Sequence, residues 1–289
     1  MAKKKPYQRA ERQRQALREA EQAHRRQQRT VVIAAAVSVL LVIGVVAALS
    51  LGGGKNDEAA SPTPSASASS AATPSGPDTP ATIPSALAPA PTRPTPFADQ
   101  VSCTYKKSAE KASKKVDPPK DGKVSAKGTS KVTLATTAGT INLKLDSALA
   151  PCTVNSFLSL VGQKYFDNTS CHRMTTGQGL QVLQCGDPSG TGSGGPGYSF
   201  ADEVFPTLKY GRGVLAMANS GPNTNGSQFF IVYGDASGLS PNYTAFGTVD
   251  AASLAVIDKV ARKGVTSSSP GAGDGKPVTP VTITKATTS

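Results

Sequence analysis

Conventional active-site chemistry finds few footholds in this sequence. There are two histidines, His24 and His172, and His24 lies ahead of a long apolar run, leaving His172 for any site beyond it. His172 directly follows Cys171 in a strand-like stretch, and no G-x-S-x-G elbow accompanies it, which excludes a Ser-His-Asp or Cys-His nucleophile. His172 reads as a structural histidine beside a site. One histidine and scattered cysteines do not give zinc-ligand spacing, so no metal site is expected. Gly190-Thr-Gly-Ser-Gly-Gly195 matches G-x-G-x-x-G in form. Pro196 and "GYSF" follow it, so no helix opens there to receive a pyrophosphate, and the run reads as a surface turn. Asp202 and Glu203 are chain neighbours and point opposite ways on extended backbone, which argues against paired-carboxylate catalysis. A stretch of different character remains, "GPNTNGSQFFIV" at 221–232. Its small, turn-forming residues lead into Gln228 and Phe230, which share a face because they lie two apart on a strand. Phe229 then points the other way and reads as core.

The elements that must carry these residues are short. Segment 130–145 alternates, with Val132 and Leu134 on one side of an Ala138-Gly139 turn and Ile141, Leu143 and Leu145 on the other, which predicts a β-hairpin. Val154, Phe157, Leu158 and Val161 recur at helical spacing, with Pro151 and Thr153 at the start and Gly162 at the end, predicting a helix. Strand-like runs follow at 170–175, 180–186, 213–218, 227–233 and 244–249. A second helix fits 251–262, with Leu254, Ile257 and Val260 inward and Gly264 as its stop, before a last alternating run around Val281 and Ile283. Many short strands with two helices predict a mainly β fold: a closed or nearly closed antiparallel barrel capped by the helices.

Ahead of this part the composition changes three times. The 289-residue chain has a net charge of +12, but residues 1–30 hold ten Lys/Arg against three Glu, so +7 sits in that tail and +5 in the rest. With the excess confined to one tail and no RNA-binding aromatic motif, nucleic-acid binding is not expected. Val31 to Leu51 is a run of 21 residues without a charge. As a helix it would span about 31 Å, the thickness of a hydrocarbon core. The basic tail before it predicts a single-pass anchor with the tail cytoplasmic and the remainder extracytoplasmic. The alternative is a secretory signal cleaved near Ala48-Leu49-Ser50, and both export the rest. Residues 52–98 are dominated by Pro, Ala, Ser and Thr and read as a disordered spacer. Residues 99–126 read as a Lys-rich extension of uncertain order, and 127–289 as the folded domain. Cys103, Cys152, Cys171 and Cys185 all follow the apolar run, and an even number in an oxidising compartment favours disulfides. Three pairings are open; the reading leans to 103–152 with 171–185, because the latter flank one strand pair.

The segments "CHRMTTGQGLQVLQCGDP", "GVLAMANSGPNTNGSQFFIVYG" and "YTAFGTV", with "TTAGTINLKL" and "APCTVNSF", resemble the cyclophilin family of peptidyl-prolyl isomerases over roughly 127–286. The resemblance implies an eight-stranded antiparallel barrel with two helices, a groove on its outer face and no cofactor. It implies a monomer that acts on Pro-containing polypeptides and assists the folding of exported proteins. Carried over position by position, it assigns catalysis to Arg173, Gln184 and Phe230. Val182, Ala218, Asn219, Gln228, Leu239 and Tyr243 would bind substrate. Such a reaction needs no acid, base or nucleophile, which suits a chain that offers none.

The chain also departs from the family pattern. Ten residues separate Arg173 from Gln184 where better-known members have seven, which enlarges the rim of the groove. Gln181 stands where a second pocket phenylalanine is frequent, Gly238 where many members carry a tryptophan, and Tyr243 where they carry a histidine. The missing indole implies weak cyclosporin binding. The rival expectation is a catalytically weak barrel that binds Pro-containing segments as a chaperone or scaffold.

Overall fold

In the computed structural model, residues 77–267 and 271–288 are described. The basic tail 1–30, the expected membrane segment 31–51 and the first part of the spacer lie outside them. Among the described residues no helix is long and apolar enough to cross a membrane.

Three short strands come first: β1 (Gln100–Cys103), β2 (Lys106–Lys107) and β3 (Gly122–Ser125). β4 (Thr129–Thr136) and β5 (Gly139–Asp146) form the expected hairpin, with Val132, Leu134, Ile141, Leu143 and Leu145 buried. Next come α1 (Pro151–Gly162), β6 (Thr169–Ser170), β7 (Arg173–Thr175) and β8 (Val182–Cys185). β9 (Tyr198–Ser199), β10 (Val214–Met217), β11 (Phe229–Val232) and β12 (Ala245–Val249) follow. The chain ends with α2 (Ala251–Ala261), β13 (Val265–Ser267), β14 (Asp274–Pro277) and β15 (Thr282–Thr288).

The expected eight strands are counted differently in the structure. One antiparallel sheet holds eleven, in the order β13-β14-β7-β8-β11-β10-β12-β5-β4-β15-β6. The larger number comes from short pieces, the two-residue β6 and the pair β13 and β14, which a periodicity count does not see. The sheet must curl. β6 is at one end of the order and β7 is third from the other, yet only Cys171 and His172 separate them in the chain. Two linking residues bridge about 10 Å at most, so the two ends of the sheet are drawn together around a common interior.

α1 closes that interior. Its Phe157 stacks on Phe166 with centroids 4.8 Å apart and meets Phe229 edge-on at 5.3 Å, so Phe229 is core as expected. Leu158 is only half-buried and Leu160 takes its place in the stripe. The start of α1 has no local side-chain cap. Glu203, 50 residues downstream of Thr153, accepts from the Thr153 amide at 2.9 Å and its hydroxyl at 2.7 Å, and from the Cys152 amide at 3.0 Å. A carboxylate there satisfies amide donors that a helix start leaves free and complements its dipole. Burial pushes the Glu203 carboxyl up, and these donors pull it back.

Both disulfides pair as the sequence reading leaned, Cys103 with Cys152 and Cys171 with Cys185. Their presence suggests an oxidising compartment outside the cytoplasm for this domain. The first ties the strand β1 to the start of α1. Residues 77–98, read with the spacer, lie against the body in the structure. The Ala88 amide donates to Arg212 O at 3.0 Å, and the Arg93 guanidinium donates to Leu149 O at 3.1 Å. Arg93 also lies over the rings of Phe97 and Phe205 at 4.1 and 5.0 Å. The proline-rich composition conceals these contacts, because a few polar anchors hold the segment and no apolar stripe does.

Candidate active site

Strand register brings three of the predicted residues into one row. Arg173 on β7 is directly opposite Gln184 on β8, Gln184 is opposite Phe230 on β11, and Phe230 is opposite Ala216 on β10. Residues directly opposite on neighbouring strands project from the same face. A guanidinium, an amide and an aromatic ring therefore stand side by side across about 10 Å of sheet.

The polar end of the row is a chain of hydrogen bonds. Arg173 donates through Nε and Nη2 to the two carboxylate oxygens of Asp274, at 2.8 and 2.6 Å. Its Nη1 donates to Gln184 Oε1 at 2.9 Å. Gln184 Nε2 donates to Gln228 Oε1 at 2.9 Å. Gln228 Nε2 donates to the carbonyls of Gly192 and Gly194, at 2.8 and 3.0 Å. Those carbonyls are fixed by Asp187, a fully buried carboxylate that accepts from the amides of Ser189, Gly192 and Gly194. Burial pushes the Asp187 carboxyl up, but the donors around it outweigh burial and hold it below the usual range. A Cβ at Gly194 would run into Asp187, so only glycine fits that position. The G-x-G-x-x-G look-alike is thus a carboxylate-anchored loop that orients Gln228.

The apolar end is built of rings. Phe230 is 5% exposed and meets Tyr243 edge-on at 5.7 Å, with Tyr210 tilted at 6.3 Å. Tyr210 clips the Tyr243 backbone: its hydroxyl donates to Tyr243 O at 2.7 Å and accepts from the Tyr243 amide at 2.9 Å. Burial pushes the Tyr210 hydroxyl up to about 12, so it keeps its proton. Val182 is buried and Leu239 half-buried, packed against the core. Ala218 donates its amide to Gln228 O at 2.9 Å, and Asn219 Nδ2 reaches Asn242 O at 2.9 Å.

The departures noted in the sequence have structural counterparts. Gln181 is buried and used as a tie: its side-chain oxygen accepts from the Asp235 amide at 2.8 Å and its nitrogen donates to Thr82 O at 3.1 Å. Gly238 is occupied by the enlarged rim, with its amide donating to Gly179 O at 2.9 Å. His172 lies under the glycine loop, and neither of its ring nitrogens has a hydrogen-bond partner among the described residues. Asp274, Tyr210 and Asp187 escaped the sequence reading. Asp274 is 101 residues from the arginine it holds, so no local spacing announces it.

Among the described residues no group of three or more His, Cys, Asp or Glu is arranged to hold a metal. The row offers a cation with a neutral acceptor–donor relay on one side and an aromatic floor on the other. Such a surface can bind an extended peptide and act on its charge distribution without exchanging protons.

Comparison with known proteins identifies the family. The family model described as "Cyclophilin type peptidyl-prolyl cis-trans isomerase/CLD" matches residues 131–288. The chain is 55% identical over 196 residues to a probable peptidyl-prolyl cis-trans isomerase B of Mycobacterium leprae, covering 63% of this chain and 65% of the relative. It is 50% identical over 197 residues to the corresponding protein of Mycobacterium tuberculosis, covering 63% and 62%. It thus spans a little under two thirds of the length of these relatives. A peptidyl-prolyl cis-trans isomerase A of Mycobacterium tuberculosis is 39% identical over 178 residues, covering 56% of this chain and 93% of that protein.

Proposed function

The chain belongs to the cyclophilin-type peptidyl-prolyl cis-trans isomerase family, and on that premise we propose that it catalyses rotation about X–Pro bonds in polypeptides. The barrier to that rotation is about 18–20 kcal/mol, and unaided it takes tens to hundreds of seconds. Twisting the bond ends amide resonance and localises a lone pair on the prolyl nitrogen. A millionfold acceleration requires about 8 kcal/mol, and one well-aimed donor contributes about 3–4 kcal/mol of that.

Arg173 is that donor. A guanidinium carries five N–H groups; three are engaged by Asp274 and Gln184, and five minus three leaves two for substrate. The bidentate Asp274 fork fixes the guanidinium plane, and Gln184 fixes its rotation. Phe230, with Val182 and Leu239, takes the proline ring in an apolar slot that excludes water and strengthens the field of the cation. Gln228, Ala218 and Asn219 hold the peptide backbone along the groove, and Tyr243 walls the slot. One end of the peptide stays fixed while the other turns. The observation that carries this reading is the single row of Arg173, Gln184 and Phe230 on three paired strands.

We read the apolar run 31–51 as a single-pass membrane anchor with its basic tail in the cytoplasm. The folded part then acts as a monomer outside the membrane, on exported proteins. A weaker catalyst that mainly binds Pro-containing segments is favoured by one feature, the Asp274 carboxylate, which offsets the charge of Arg173.

Exchange spectroscopy by NMR on an Ala-Pro peptide separates these readings. Exchange accelerated in proportion to protein supports the isomerase. Binding shifts without acceleration leave only the binding module.

A further inference from the structure

Residues 77–98 precede the part that matches the family model, 131–288, and their composition reads as spacer. In the structure the first of them reach the end of β14 that carries Asp274. Asp78 forms an antiparallel bridge with Val265, the first residue of β13. Its amide donates to Val265 O at 3.2 Å, and its carbonyl accepts from the Val265 amide at 3.0 Å. β13 is in turn paired with β14. The half-buried Asp78 then turns its carboxylate onto the approach to β14: Oδ1 accepts from the Gly271 amide at 3.0 Å and Oδ2 from the Gly273 amide at 3.2 Å. Hydrogen bonds to a charged acceptor are the stronger kind.

Gly273 directly precedes Asp274, the residue whose carboxylate forks Arg173. It is held from two sides, its amide by Asp78 and its carbonyl by the Thr176 amide at 2.7 Å. Gly271 and Gly273 have φ of +78° and +59°, values that other residues rarely adopt. A Cβ at Gly273 would also sit 2.9 Å from Thr176 Oγ1. Asp274 is opposite Thr175 on β7, two residues along that strand from Arg173. The Asp274 fork therefore depends on where this turn sets the end of β14. The segment is pinned again four residues on, where Thr82 O accepts from Nε2 of buried Gln181 at 3.1 Å. The bridge at Val265 is thus not its only hold.

We infer that Asp78 is a positioning residue for the isomerase reaction: it fixes the turn that delivers Asp274, and through Asp274 the plane of the Arg173 guanidinium. The inference rests on the isomerase reading for the role of Arg173. It makes a residue of the apparent spacer part of the catalytic unit.

The test uses the full chain with Asp78→Ala, Asp78→Asn, Asp274→Ala, the double variant Asp78→Ala/Asp274→Ala, and Arg93→Ala. Arg93 fastens the same segment far along it, at Leu149 O and Glu203 O, and serves as the control. Two readouts are taken: exchange of an Ala-Pro peptide, and the Arg173 Nε–H cross-peak with its rate of hydrogen exchange with water. Asp78→Ala lowers kcat by about twofold to fivefold with KM unchanged, and Arg173 Nε–H exchanges about twofold faster or more. Asp78→Asn, which keeps one acceptor oxygen, recovers part of both. In the double variant kcat equals that of Asp274→Ala, because both changes act on one fork, whereas independent effects would multiply. An unchanged kcat or cross-peak in Asp78→Ala, a multiplied loss in the double variant, or equal losses in Arg93→Ala overturns the role of Asp78. If none of the proteins accelerates peptide exchange but the Arg173 cross-peak still responds to Asp78→Ala and not to Arg93→Ala, the positioning stands and the isomerase reading falls.

Discussion

The two halves of the groove are held by different means. In the polar half, each candidate side chain is positioned by a partner far away in the chain: Arg173 by Asp274, 101 residues on, and Gln184 by Gln228, 44 residues on. In the apolar half, Phe230, Tyr210 and Tyr243 hold one another and belong to or lean on the core. The Arg173 side chain is 36% exposed, against 5% for Phe230. An exposed ion pair adds about 0–1 kcal/mol to stability, so the Arg173–Asp274 pair sets geometry and contributes little to the fold. A change in the polar half should therefore affect rate without affecting stability. A change in the apolar half should affect both.

Arg173→Ala gives the sharpest break. It lowers kcat/KM by about 10²–10³-fold, the usual cost of removing one electrostatic donor, and leaves the melting temperature nearly unchanged. A loss below tenfold removes Arg173 from the mechanism. Phe230→Ala comes next and behaves differently. It raises KM by about tenfold or more through lost apolar contact. It also destabilises the domain by up to about 3 kcal/mol, as large-to-small core changes do. A Phe230→Ala protein with wild-type melting and a pure kcat defect would erase the distinction between the halves. Asp274→Ala sharpens it: kcat falls about fivefold to tenfold as the guanidinium loses its fixed plane, with KM and melting unchanged. Asp274→Asn keeps an acceptor oxygen and loses less.

The same division explains what could be read from the sequence. The hairpin β4–β5 was legible because its alternation is uninterrupted, and both helices because their stripes and stop signals coincide. The row Arg173–Gln184–Phe230 came from the family resemblance, since nothing in local spacing joins β7, β8 and β11. Strand parity puts Phe229 and Phe230 on opposite faces, and the resemblance assigns the pocket to Phe230. In sequence Glu203 reads only as a neighbour of Asp202, yet it caps α1 from 50 residues away. Asp274, Asp187 and Tyr210 were illegible for the same reason: each acts on a residue distant in the chain, and hydrogen-bond pairing leaves no periodic trace. The 105–113 segment reads as a patternless lysine-rich extension because an upstream disulfide, a few backbone bonds and the single buried ring of Tyr105 fasten it, and none of these leaves a periodic trace.

Gly238 tests whether the enlarged rim replaces a ring. Cyclosporin added to the exchange assay inhibits weakly, since no indole stands beside the slot. Gly238→Trp does not restore tight inhibition, because a Cβ there would sit 3.0 Å from the Gly179 carbonyl oxygen. Tight inhibition of the unaltered protein contradicts this account of the rim.

The smallest effect expected is a pH dependence seated behind the polar half. Burial lowers the His172 pKa, Asp187 and the neighbouring Gln228 side chain oppose this, and Arg173 and Lys276 add to it. With the folded value below the ordinary imidazole value of about 6.5, the unfolded chain binds more protons in between. His172 thus contributes full stability above about pH 6.5 and loses it as pH falls toward the lowered value. Asp187 is also lowered, but its loss begins only near ordinary carboxylate values, well below this window. Glu203 is raised and has the opposite sign, so its contribution declines as pH rises. Wild-type melting alone therefore mixes two trends. The difference between wild type and His172→Gln isolates one: from pH 7 to 5 the wild type loses more melting temperature than the variant. Equal losses in the two proteins would mean that His172 titrates normally. The glycine loop would then not shield it, and the orientation of Gln228 would have to survive a charged imidazolium directly beneath it.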